Sequence, residues 1–149
     1  MQGEKAEKAA YHASPSLLAE RTMASGESLS LDSRVRDSIN RIEAQVLALE
    51  MMLLRVASDS SDPGPKASIL KIRGSELQME LARLQMQVAG ADSWPYDPEW
   101  LYADSEFHGP GPEYSAAASA GYFDMRKTAI YGGTNEVQKG IISKQIIGV

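Results

Sequence analysis

Between residues 32 and 89 apolar side chains recur at spacings of three and four on both sides of a single break, and this pairing limits the fold more than any other feature of the chain. Asp32 stands as a cap before Val35, Ile39, Ile42, Val46, Leu49 and Leu53, while Arg34, Arg36, Asp37, Arg41 and Glu43 take the other faces. The pattern predicts a helix over about 32–57. Ser58-Asp59-Ser60-Ser61-Asp62-Pro63-Gly64-Pro65 then collects most of the residue types that form turns, so the chain breaks there. Pro65 suits the first position of a second helix, whose face runs through Ile69, Ile72, Leu77, Leu81, Leu84 and Val88 to about Ala89. Gly74 inside it costs about 1 kcal/mol relative to alanine unless close helix contact compensates. A connection of about eight residues favours antiparallel neighbours. Met51, Met52, Met79 and Met86 read as core filler in preference to a substrate groove.

The flanking segments complete a bundle. Residues 1–13 are polar and alanine-rich, and Ser14-Pro15 can open a short helix through Leu17, Leu18, Arg21 and Ala24 that stops at Gly26. From Gly90 to Glu113 periodicity fails while Trp94, Pro95, Tyr96, Pro98, Trp100, Phe107, Pro110 and Pro112 accumulate. Such a long loop is either functional or tied over the bundle by its aromatics. Tyr114 to about Lys127 reads as a third long helix, with Ala117, Gly121, Phe123 and Met125 as its apolar contributors. The last helix spreads Val137, Ile141, Ile142 and Ile146 over about half its circumference, so it is expected to be covered on two sides. The expected fold is all-α, an up-and-down four-helix bundle with a long irregular loop before the third long helix. Its expected division is 1–30, a polar lead with a short, truncated first helix, and 31–149, the bundle.

A formal charge of −5 gives no basic footprint for nucleic acid. No cysteine is present, which removes disulfides, thiolate chemistry and cysteine-ligated metals and is compatible with a cytoplasmic location. The first residues lack the apolar core of a secretory signal, and no run approaches a membrane span. His12 and His108 lie far apart and read as exposed loop residues, so no metal site is expected.

One stretch carries chemistry. Arg126-Lys127-Thr128-Ala129-Ile130-Tyr131-Gly132-Gly133-Thr134-Asn135-Glu136-Val137-Gln138 places two adjacent glycines immediately before a helix start signalled by Thr134 and Asn135. A helix N-terminus presents unpaired N–H groups and partial positive charge, so it suits a phosphate or the polar oxygens of a cofactor. The same residues also suit an ordinary glycine turn between two helices. Glu136 and Gln138 likewise have a plain reading, as N-terminal residues that complement the helix dipole.

The wording of that stretch, with Ile141-Ile142 after it, closely resembles the C-terminal signature of the acyl-CoA dehydrogenase family, in particular its bacterial members. Asp32-Ser33-Arg34-Val35-Arg36, Asp62-Pro63-Gly64-Pro65-Lys66-Ala67-Ser68-Ile69-Leu70-Lys71 and Ser75-Glu76-Leu77 are similar to the same members at comparable spacings, and the likeness covers roughly residues 31–149. Those enzymes use FAD to desaturate acyl-CoA thioesters between the α and β carbons. The resemblance implies a C-terminal four-helix bundle that contributes to flavin binding, the acyl site and homo- or hetero-oligomer contacts. It sets Tyr131, Gly132, Gly133, Thr134 and Glu136 beside FAD. Many members carry a glutamate base at the position of Gly132, where this chain has no side chain; others place it before an arginine in the first bundle helix, which Glu20-Arg21 resembles. Glu20 is thus the candidate base, its alternative being a surface ion pair. Most of the family's first bundle helix, its N-terminal helical domain and its middle β domain are missing, so the expectation is the C-terminal part of a truncated or split enzyme, inactive alone. The alternative is a non-catalytic helical module that assembles with full-length dehydrogenase subunits.

Overall fold

The computed structural model describes residues 32–58, 64–95, 111 and 113–148. The candidate base Glu20, both histidines, the short first helix expected after Ser14, the centre of the first turn and the loop aromatics Tyr96, Trp100 and Phe107 lie outside the described residues.

Among the described residues the structure is entirely helical. Helix α1 spans Ser33–Ser58 and α2 spans Gly64–Ala89; α3 is Ala118–Asp124 and α4 is Asn135–Ile142. Asp32 caps α1 as expected, its Oδ1 accepting from Arg34 N at 2.8 Å and its carbonyl from Arg36 N at 3.0 Å. The bond from Arg34 N–H is the main reason the Asp32 carboxyl is held below its ordinary value. Pro65 falls in the first turn of α2, where its missing N–H is not needed. Helix α2 ends at Ala89 because Gly90 takes the left-handed conformation, with φ +58°.

α1 and α2 run antiparallel. Arg41 Nε lies 3.9 Å from Glu80 Oε1, and Leu49 lies alongside Gly74, so the register descends along α2 as it climbs α1. Ile39, Ile42 and Leu84 form the buried centre of this pair, with Val35, Val46, Leu77, Leu81 and Val88 packed against it. A second stripe of α2 is also buried, through Ser68, Ile72, Ser75, Ala82 and Ala89. Its small residues allow close approach, and α3, α4 and the 3-10 segment Met125–Ala129 all pack on α2. α2 is therefore the central element, clothed on both sides.

Several residues expected in the core are outside it. Leu53 and Met51 are exposed, as are Leu47 and Leu54; among the described residues α2 is the main partner of α1. The expected third long helix is interrupted: Glu113–Ser115 is a 3-10 turn, residues 116 and 117 form a plain turn, and the α-helical part gives way to the 3-10 segment after Asp124. Those changes of pitch shift the buried phase to Ser115, Ala116, Ala118, Ser119 and Thr128, leaving Ala117 and Phe123 exposed. α4 is not covered on two sides among the described residues; it buries no residue fully, and Ile141 and Ile142 are half-buried while Val137 and Ile146 are exposed. Trp94, one of the aromatics of the long loop, is 73% exposed. No helix among the described residues is long and apolar enough to cross a membrane.

A methyl group at Gly74 would meet Leu49 Cδ2 at 4.0 Å, an ordinary contact. Gly74→Ala is therefore expected to stabilise the fold by about 0.5–1 kcal/mol, since alanine restricts the unfolded chain and favours the helix. Urea unfolding of the two proteins checks this.

Candidate functional site

The glycine stretch forms a short, closely determined connection. N–H groups of Ile130 and Tyr131 both donate to the Lys127 carbonyl, at 2.9 and 3.0 Å, which closes the 3-10 segment Met125–Ala129. Gly132 and Gly133 then take φ of +68° and +90°, in the left-handed region that side chains resist. Thr134 returns to extended backbone as the cap of α4, its Oγ1 accepting from Val137 N at 3.3 Å. Gln138 completes a clamp: its N–H donates to the Thr134 carbonyl at 3.0 Å, and its Nε2 donates to the Gly132 carbonyl at 3.1 Å. A Cβ at Gly133 would lie 2.6 Å from that Nε2, whereas one at Gly132 would meet nothing within 4 Å.

Tyr131, Gly132 and Glu136 are exposed, and Gly133 and Thr134 are half-buried, so the expected cofactor-side residues form one accessible edge. Glu136 stands in the first turn of α4. Its carboxyl is held below the ordinary value of 4.5, first by a bond from its own backbone N–H, then by the Thr134 hydroxyl, with the charges of Lys139 and Lys71 adding to this. The helix N-terminus thus already has a carboxylate upon it. Arg126, in the 3-10 segment before the turn, sets its guanidinium 4.4 Å above the Tyr122 ring.

The attachment of this edge to the rest of the fold is polar. Asn135 Oδ1 accepts from Lys71 Nζ at 2.9 Å and lies 3.3 Å from Ser75 Oγ, joining α4 to α2 across 64 residues of chain. Ser75 Oγ also donates to the Ile72 carbonyl at 2.9 Å, and the buried Thr128 hydroxyl donates to the Met125 carbonyl at 2.8 Å. Sequence reasoning uses Asn135 only as a helix-start signal. Lys71 and Ser75 one helical turn apart are a faint signal of a shared face, and nothing in the sequence points that face at residue 135.

A separate groove of about 500 Å³ lies between α1 and α2, lined by Ala48, Leu49, Met52, Ile69 and Leu77 with Arg73. Met52 therefore lines a surface groove and does not fill the core.

A family model described as acyl-CoA dehydrogenase, C-terminal domain, matches residues 9–147. No curated protein matches the chain.

Gly133→Ala is expected to cost more stability than Gly132→Ala. Both set a side chain at positive φ, at about 1–2 kcal/mol, but only the first also pushes Gln138 away from Gly132, losing a bond worth about 0.5–1.5 kcal/mol. Denaturant unfolding of the two variants reads the order. The lowered pKa of Glu136 has its own consequence: its contribution to α4 is complete above 4.5 and fades as pH falls through the lower folded value. A carbon-13 titration should place its midpoint below 4.5, and Glu136→Gln should remove that part of the acid sensitivity of α4.

Proposed function

The chain belongs to the acyl-CoA dehydrogenase family, through its C-terminal domain, and from that premise we propose that it supplies the helical wall of an FAD-dependent enzyme that desaturates acyl-CoA thioesters. The observation that carries this reading is the exposed Tyr131–Glu136 edge, in which two left-handed glycines lead straight into a capped helix start. Tyr131, Gly132, Gly133, Thr134 and Glu136 are the residues assigned to the flavin side. The donor set fits a neutral, hydroxyl-rich part of FAD better than its pyrophosphate, because the Glu136 carboxylate occupies the helix dipole and would repel a second anion. Thr134 and the N–H groups around it would orient such a part, and Gly132 lets it approach the backbone closely.

FAD, when bound, would accept the hydride from the β carbon of the acyl chain. The α proton needs a base, and no carboxylate projects from position 132. Glu20 is the residue of this chain assigned to that task. The helical domain alone holds one side of such a site, so turnover requires the N-terminal and middle domains of the family, in the same chain or another. Subunit contacts fall to the apolar face of α1, where Leu47, Met51 and Leu54 lie exposed at spacings of four and three. The same exposed face supports a second reading, a non-catalytic module that assembles with full-length dehydrogenase subunits.

Co-expression with the N-terminal and middle domains of an acyl-CoA dehydrogenase tests both. The enzyme reading expects stoichiometric FAD that an acyl-CoA reduces, with Thr134→Val weakening FAD by up to about tenfold, the scale of one hydrogen bond, and Thr134→Ser restoring it. Unchanged affinity in Thr134→Val would count against the assigned role. A stable complex without flavin would favour the module.

A further inference from the structure

We propose that Lys71 is the positioning residue of the glycine turn: by holding Asn135 it sets where Gly132, Gly133 and Thr134 stand against α2. The consequence for a cofactor rests on the flavin-side reading above, while the tie itself stands without it.

Two kinds of contact act on the turn, and they do different things. The Thr134 cap and the Gln138 clamp are local, joining residues three and six apart, so they give the turn its shape and leave its placement open. On its N-terminal side the turn follows the Met125–Ala129 segment, whose buried Thr128 hydroxyl lies 3.5 Å from the Ser75 carbonyl of α2; on the α4 side placement needs its own bond to another element. Apolar packing offers little at the first turn of α4, because Val137 is exposed and the half-buried Ile141 and Ile142 come a full turn later. Asn135, the first residue of α4, does reach α2.

Of the two α2 groups near its side chain, Lys71 is the one on which Asn135 depends. The Ser75 hydroxyl has a single proton, and the Ile72 carbonyl at 2.9 Å is a better acceptor for it than Asn135 Oδ1 at 3.3 Å. Lys71 can only donate, so its ammonium at 2.9 Å both requires the amide oxygen to face α2 and makes the stronger, charge-assisted bond. Without Lys71 the amide is free to reverse and donate to Ser75 Oγ, which releases the orientation of the helix start. Among the described residues no carboxylate forms an ion pair with Lys71, and the Glu136 carboxylate in the first turn of α4, which feels its charge, draws it toward the same helix start.

Amide hydrogen exchange on the full chain tests the tie without any cofactor. Lys71→Met should speed exchange at Val137 and Gln138 by about tenfold, the effect of losing one charge-assisted bond at a partly open site, and Lys71→Arg should restore most of it. In an Asn135→Ala background the same Lys71→Met change should add less than about twofold, because the partner is already gone. Unaltered exchange in Lys71→Met, or a full effect that persists in Asn135→Ala, would overturn the proposal. In the complex reconstituted with the other two domains, Lys71→Met should weaken FAD and Lys71→Arg should not. If the unmodified complex takes up no FAD while exchange behaves as stated, the flavin reading fails and the positioning role stands. FAD affinity that ignores Lys71→Met in a complex that does bind flavin would show that the placement has no bearing on the cofactor.

Discussion

Burial of α2 on two faces is the constraint from which the rest of the structure follows. One face presents Leu77, Leu81, Leu84 and Val88 to α1, a large apolar contact in which each well-buried side chain contributes roughly 1.5–3 kcal/mol. The other presents Ser68, Ile72, Ser75, Ala82 and Ala89, which bring neighbours close but remove much less apolar area from water. Its hydroxyls are tolerable only because they are bonded, and no buried side-chain nitrogen or oxygen among the described residues lacks a partner. α1 is therefore held by area and α4 by area and polar ties together. Ser75 marks the boundary, since it is 5% exposed and lies within reach of Asn135. The candidate site hangs on the side where specific bonds matter most, so single polar substitutions there should alter geometry more than they alter overall stability.

Apolar side chains left outside these contacts are the complementary feature. Leu47, Met51 and Leu54 on α1, together with Ile146 and Ile147 after α4, leave apolar surface in water. Isolated exposed apolar residues need no explanation, but a stripe at helical spacing is a surface that gains free energy when covered. The groove beside Leu49 and Met52 lies on a different face of α1, and among the described residues that line it the one charged side chain, Arg73, is engaged with Glu76 at 3.1 Å.

How far the sequence could be read follows from which interactions were local. The α1 cap, the end of α2 at Gly90 and the helix start at Thr134 depend on residue types within a few positions of one another, and all stand in the structure. Periodicity also identified Ile39, Ile42 and Leu84 as core. It failed where a helix changes pitch, since the 3-10 and α segments between Glu113 and Ala129 rotate the buried phase away from Ala117 and Phe123. It failed again at Leu53 and Val137, which stay exposed, because a pattern records what can be buried and not what is. Of the second face of α2 only Ile72 was legible: Ser68 and Ser75 carry no apolar signal, and only their positions in three dimensions make them core. The local shape of the candidate site was legible for the same reason as the caps. Its attachment through Lys71 was not, because that bond spans 64 residues and has no motif.

What the turn can do chemically is narrower than its glycines suggest. An anion cradle needs uncommitted N–H groups and an unopposed dipole, yet Glu136 sets a carboxylate on the helix start and keeps it charged below the usual carboxylate range. A catalytic base needs a titratable side chain, and Gly132 has none, although open space surrounds the position a Cβ would take. A glutamate there would also have to accept φ of +68°, a conformation that side chains adopt at a cost of about 1–2 kcal/mol. The edge is thus left with neutral hydrogen bonding and close backbone approach, which orient a ligand and do not transfer a proton. Orientation and proton abstraction are therefore separate tasks: under the proposed function the first falls to Thr134 and its turn, and the second to a carboxylate outside that turn, for which Glu20 is this chain's candidate.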